Sequence, residues 1–213
     1  MQRGSRGTIL VAVVVAAVLV AGLAWWWSRP DDRTQVVVVG DSVSYLSAGR
    51  IESRLGDDHD LRFLTKPGYT TSQELVVLQG AIDEGDPVVA ARDVIVVLVG
   101  YNDLLLDTPD TEALDDLVEA SSRWRCAVWM ELPERPGGQP SVNPKVSPEA
   151  VAAWNDRLAT AIEPHEDVHL VGDWRDVVAR NSAADLLSDG VHPTEAGQRR
   201  LADAYRAAIE RHC

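Results

Sequence analysis

Residues Gln35–Ala48 read QVVVVGDSVSYLSA, four valines in a row closing on Gly40-Asp41. A β-branched run with no polar alternation, ended by a turn, is the pattern of a strand buried on both faces. Beyond it, Ser44–Leu55 spaces its apolar residues as an amphipathic helix does. A buried strand passing through a tight turn into a helix is the opening unit of a parallel α/β sheet.

The alternation continues outward from that unit. Buried-strand runs recur at Leu61–Leu64, Val94–Val99, Cys126–Met130 and Val168–Val171. Amphipathic stretches lie between them at Ser72–Glu84, Thr111–Arg123 and Glu149–Ile162. A last one, Pro193–Arg211, is read with Pro193 in its first turn. The pattern predicts a three-layer α/β/α sandwich around a five-stranded parallel sheet with right-handed crossovers. The segment Pro133–Pro148, PERPGGQPSVNPKVSP, holds five prolines and two glycines and is read as a loop.

Composition narrows the function classes. The 213 residues carry 20 Lys+Arg against 33 Asp+Glu, a net charge of −13, and phosphate binding needs clustered cations, so a nucleic-acid partner is not expected. With 46% hydrophobic and 25% charged residues the chain has ordinary globular usage and is not disordered as a whole.

The N-terminus reads differently from the rest. Ile9–Trp27, ILVAVVVAAVLVAGLAWWW, is 19 residues without a charge, and as a helix it would be about 28 Å long, close to the bilayer hydrocarbon thickness. It reads as a transmembrane anchor spanning residues 8–27, with Arg3 and Arg6 holding residues 1–7 in the cytoplasm and Trp25, Trp26 and Trp27 at the outer interface. A cleaved signal peptide, cut after Gly22 and Ala24, is the competing reading. Residues 28–34 form a linker, and residues 35–213 an extracytoplasmic domain.

In open parallel sheets the ligand crevice lies beyond the carboxyl ends of the strands. The residues there are Gly40-Asp41-Ser42-Val43, Gly68 and Gly100-Tyr101-Asn102-Asp103, with Asp189-Gly190-Val191-His192-Pro193 ahead of the last helix. A hydroxyl, an imidazole and a carboxylate are what nucleophilic acyl transfer requires. Donors at Ser42, Gly68 and Asn102 can converge on an oxyanion. The plainer reading makes Ser42 a helix cap, Asn102 a turn residue, and Asp189 with His192 a surface cap.

Taken together these blocks resemble the GDSL, or SGNH, hydrolase family: GDSV at 40–43, Gly68 in KPGYTT, GYND at 100–103 and DGVHP at 189–193, over Gln35–Ala208. The resemblance implies a flavodoxin-like SGNH fold and no cofactor. It implies Ser42 as nucleophile with its own amide in the oxyanion hole, Gly68 and Asn102 as the other oxyanion donors, His192 as general base and Asp189 as its partner. The G-x-S-x-G elbow of α/β-hydrolases is absent, because Ser44 follows Val43.

The remaining reactive residues read more simply. His165 and His169 straddle a strand entry without a third ligand, and His59 sits in an acidic loop, so no metal is expected. Trp124, Trp129, Trp154 and Trp174 are read as core or loop anchors in preference to a sugar platform. Cys126 and Cys213 are the only thiols, and in an exported domain they are expected to pair; two separate thiols are the alternative.

The expected function is a membrane-anchored, extracytoplasmic serine esterase acting on an envelope ester, such as an O-acetylated polysaccharide or a lipid ester. LVGDWRDVV and DGVHPTEAG are also similar to SGNH domains associated with envelope acyltransferases, which implies transfer to a sugar hydroxyl as the alternative. An inactive carbohydrate-binding or scaffold module is the reading from another class.

Overall fold

The computed structural model describes residues 33–107, 110–134 and 146–213. The expected cytoplasmic segment and transmembrane anchor, and all but the end of the linker, lie outside the described residues. Among the described residues no helix is long and apolar enough to cross a membrane. Thr34–Cys213 is one compact unit.

Five strands form its centre: β1 Thr34–Gly40, β2 His59–Thr65, β3 Val94–Leu98, β4 Cys126–Met130 and β5 Val168–Val171. All pair in parallel in the order β2-β1-β3-β4-β5, with Val36 between Leu61 and Val94 and with Val94 beside Cys126. Val36, Val37, Val38 and Val39 are fully buried, because helices cover both faces of the sheet. The order reverses at β1, whose successor lies on one side and β3 on the other. The crevice at the carboxyl ends of β1 and β3 is therefore where this topology places a ligand.

The helices are α1 Ser42–Leu55, α2 Thr71–Asp83, α3 Pro87–Ala91, α4 Tyr101–Leu106, α5 Thr111–Ser121, α6 Pro148–Ile162, α7 Asp173–Arg180, α8 Ala183–Leu186 and α9 Glu195–His212. One layer packs α1, α9 and α7 together, and the other packs α2 against α5 and α5 against α6. The three-layer expectation holds. The short helices α3, α4, α7 and α8 were not anticipated, because four to eight residues are too few to display a helical hydrophobic period. Asp86 ahead of Pro87 did carry a start signal, and its carboxylate accepts the Val88 amide at 3.0 Å.

Two local readings are corrected. Pro193 is outside α9: it forms an antiparallel bridge with Leu187, and Thr194 caps the helix by accepting the Gly197 amide at 3.1 Å. Ser42 is not a cap. Asp41 is, its carboxylate accepting the Val43 amide at 3.0 Å, an interaction worth about 1 kcal/mol to a helix start. Ser42 thereby occupies the first helical position, where its own amide has no carbonyl to bond within the helix.

Trp124, Trp129, Trp154 and Trp174 are buried in the core, as expected. Residues 135–145 of the Pro133–Pro148 segment lie outside the described residues. Its near end is held by Asn155, which exchanges hydrogen bonds of 3.0 and 2.9 Å with the Leu132 backbone, and by the Tyr101 hydroxyl, which donates to Pro133 O at 3.0 Å. Its far end is the Ser147 cap of α6. Cys126 and Cys213 form a disulfide across 87 positions, fastening the end of α9 to the start of β4. Closing a loop of that length is worth at most about 4–5 kcal/mol in the chain-entropy account.

Candidate active site

The turns after β1, β2 and β3 and the loop ahead of α9 meet at the predicted crevice. Ser42, partly exposed at the first position of α1, donates its hydroxyl to His192 Nε2 at 2.9 Å. His192 Nδ1 lies 2.6 Å from Asp189 Oδ2. With the Nδ1 proton directed at that carboxylate, Nε2 is left as the acceptor for the serine proton. Ser42 and His192 are 150 positions apart in the sequence, and the three side chains are aligned as a relay.

The loop is shaped for this. Asp189 uses its second oxygen, Oδ1, to accept the amides of Val191 at 3.0 Å and His192 at 2.8 Å. The carbonyl of His192 accepts from the Ser188 amide at 2.8 Å and hydroxyl at 3.1 Å. One carboxylate thus fixes both its own loop and the imidazole tautomer. Partial burial would raise Asp189, but the His192 amide and ring and the Val191 amide outweigh it, so the carboxyl titrates below its ordinary range. Asp189 is therefore ionised at neutral pH, and the stability it contributes is lost only as the pH falls through the acid range.

Asn102, at the start of α4, is nearly buried and donates through its side-chain amide to Tyr69 O at 2.9 Å and to Asp41 Oδ2 at 3.3 Å. It therefore joins the residue before Ser42 to the residue after Gly68. Gly68 has φ +80°, a left-handed conformation that presents its peptide at the turn without strain. Gly100 cannot be replaced: its φ is +122°, and a Cβ there would collide with the Trp154 ring. The buried Trp154 ring lies directly against Gly100, two residues before Asn102.

Beneath these groups lies a feature that motif reading did not find. Asp41, Asp103 and Glu74 are all buried. Asp103 accepts the Thr71 amide and hydroxyl, each at 3.0 Å, which ties α4 to the start of α2. Burial pushes Asp41 up to about 7, with the Val43 amide and the His192 charge opposing. The only sequence signal for Glu74 was an acid on the apolar face of α2, among Thr71, Leu75 and Leu78. Elsewhere, His169 stacks on His212 with ring centroids 4.9 Å apart, and His165 lies 3.9 Å from Glu119.

An open hydroxyl–imidazole–carboxylate relay beside a cluster of amide donors can carry out acyl transfer. A sequence profile of the GDSL-like lipase/acylhydrolase family matches residues 38–200, the span that contains Ser42, Gly68, Asn102, Asp189 and His192. The chain belongs to this family. It is a GDSL/SGNH hydrolase of the esterase and acylhydrolase type. Solved structures of similar fold include a candidate platelet activating factor from Streptococcus pneumonia, 17% identical, with a TM-score of 0.67 over 94% of this chain and 98% of its own. The esterase EstA from Pseudoalteromonas sp. is 17% identical, with a TM-score of 0.65 over 84% of this chain and 97% of its own. The lipase/acylhydrolase from Enterococcus faecalis is likewise 17% identical at 0.65, over 82% and 94%. No significant match is found among curated protein sequences. At these identities the likeness carries the fold, and the GDSL-like acylhydrolase assignment rests on the profile.

Proposed function

We propose that this GDSL-family acylhydrolase is an extracytoplasmic serine esterase of the cell envelope, held at the membrane by Ile9–Trp27. The observation that carries the chemistry is the Ser42–His192–Asp189 alignment, at 2.9 and 2.6 Å. Ser42 Oγ attacks the ester carbonyl carbon while its proton passes to His192 Nε2. The tetrahedral oxyanion takes hydrogen bonds from the Ser42 and Gly68 amides and from Asn102 Nδ2. Its collapse expels the alkoxide, which leaves as the alcohol with the proton from His192. Water, deprotonated by His192, then cleaves the acyl-enzyme to the acid and free Ser42. Asp189 stays ionised throughout and stabilises the imidazolium.

Both amide protons of Asn102 are engaged in the free enzyme, so the oxyanion shares one of them, and the 3.3 Å bond to Asp41 is the weaker. Asn102→Ala removes this donor and leaves the relay intact. The expected loss is about 10²–10³ in kcat with KM nearly unchanged; a rise in KM alone would make Asn102 a substrate contact instead.

The compartment is supported by the 19-residue apolar run behind Arg3 and Arg6 and by the Cys126–Cys213 disulfide, a bond at home in oxidising environments. Transfer of the acyl group to a sugar hydroxyl in place of water is the second reading, favoured by the LVGDWRDVV and DGVHPTEAG segments. One experiment separates the two: short-chain aryl esters offered to the full-length chain in detergent, with and without a polysaccharide acceptor. Acid release unaffected by acceptor identifies a hydrolase; acylated sugar at the expense of free acid identifies a transferase; neither product would leave the inactive-module reading. Protease added to intact cells should reach the catalytic domain, and protection from it would overturn the topology.

A further inference from the structure

Glu74 is a carboxyl that the mechanism above does not use. It projects from the first turn of α2 into the interior and is fully buried. Neither of its oxygens has a hydrogen-bond partner among the described residues. Its acidic neighbours are differently placed. Asp41 accepts N–H groups from Val43 and Asn102, and Asp103 accepts both donors of Thr71. Hydrogen bonds donated to a carboxyl favour its ionised form, and burial without them favours the neutral one. Three carboxylates cannot all carry charge in this interior, and the one without donors is the one that stays protonated.

We propose that Glu74 is a positioning residue for the oxyanion site: its neutral carboxyl lets Asp41 carry the buried charge that holds Asn102, and its ionisation weakens transition-state stabilisation. The proposal rests on the acyl-transfer reading of the site. The chemistry is one proton released to solvent, Glu74–COOH giving Glu74–COO⁻. The new charge repels Asp41, which anchors both the first turn of α1 and the Asn102 amide. It also opposes the negative charge that develops on the substrate oxygen, in surroundings where water screens little.

The titratable and charged groups around Glu74 and its neighbour Asp41 come from every side. Asp41 lies at the end of β1 and Lys66 at the end of β2; Asp103 is in α4 and His192 in the loop ahead of α9. Tyr205 of α9, buried and bonded to Ser44 at 2.9 Å, faces Asp41. Burial first and the Asp41 charge second push Glu74 up to about 8, opposed by nearby Lys66, whose amide is donated to Gly40 O at 3.0 Å and not to Glu74. A serine–imidazole relay by itself holds its activity on the alkaline side. Glu74 adds an alkaline fall.

The test is the pH dependence of aryl-ester hydrolysis by the full-length chain and by Glu74→Gln, whose amide imitates the neutral acid. The wild type should lose about tenfold in kcat between roughly pH 7 and pH 9 with little change in KM, reversibly, and Glu74→Gln should stay flat across that range. Glu74→Met, uncharged and of similar length, should share the flat limb and serves if Glu74→Gln does not fold. A wild type with no alkaline fall, or a variant that retains it, overturns the proposal. If neither variant folds, the wild-type profile decides alone, a reversible fall in kcat supporting and its absence overturning.

Thermal unfolding gives a readout independent of activity. A carboxyl raised in the folded state makes the fold lose stability as pH rises from the ordinary Glu range to about 8. The Tm of Glu74→Gln should therefore gain on the wild type over that range, and parallel curves would count against a protonated Glu74. Absence of ester hydrolysis at every pH would refute the proposed function instead, while leaving this comparison interpretable.

Discussion

Ser42→Ala is expected to lower kcat for ester hydrolysis by about 10⁶-fold, leaving only the residual rate supplied by binding and the oxyanion donors. The nucleophile has no substitute: the serine hydroxyl that bonds His192 at 2.9 Å is Oγ of Ser42 itself. The fold should be untouched. Ser42 is partly exposed at the first position of α1, and the cap belongs to Asp41, so stability should change by less than about 0.5 kcal/mol. A serine-directed fluorophosphonate should label the native chain and not the variant. Labelling that persisted in Ser42→Ala would place the nucleophile elsewhere.

The second-largest effect is expected at Asp189. Asp189→Asn keeps the shape of the loop but can turn its amide N–H toward His192 Nδ1, which stabilises the tautomer with its proton on Nε2. That proton blocks the acceptor position Ser42 needs, and a loss approaching roughly 10⁴ in kcat follows. The measurement is kcat together with the acid limb of the pH profile. Asp189 also holds its own loop by accepting the Val191 and His192 amides, so Tm should fall as well. Unchanged kcat beside a lowered Tm would reduce Asp189 to a loop-forming role.

Much of the architecture was visible in the chain. A parallel sheet buried on both faces needs continuous β-branched runs, so Val36–Val39 and Val94–Val97 announced themselves without tertiary knowledge. The candidate site residues were legible for a related reason: the crevice of such a sheet lies where strands end, which limited the search to a few turns. What stayed hidden were elements too short to show a period, such as Tyr101–Leu106 and Asp173–Arg180. Division of labour within a motif was hidden too. Asp41 and Ser42 are both plausible caps by composition, and only the geometry hands the cap to Asp41 and frees the Ser42 hydroxyl for His192.

By itself, then, the sequence determined the layer architecture and singled out Ser42, Asn102, Asp189 and His192 as candidate site residues and Cys126 with Cys213 as a candidate pair, because burial period, turn chemistry and motif spacing are local properties. Tertiary structure alone decided the strand order that places β1 beside β3 and the tie from Asn102 to both Asp41 and Tyr69. It also decided that Asp41 is buried with Glu74 and Asp103 as its acidic neighbours. The charge a buried carboxyl carries depends on which donors reach it in space, and those donors come from strands and helices whose separation along the chain says nothing of their meeting.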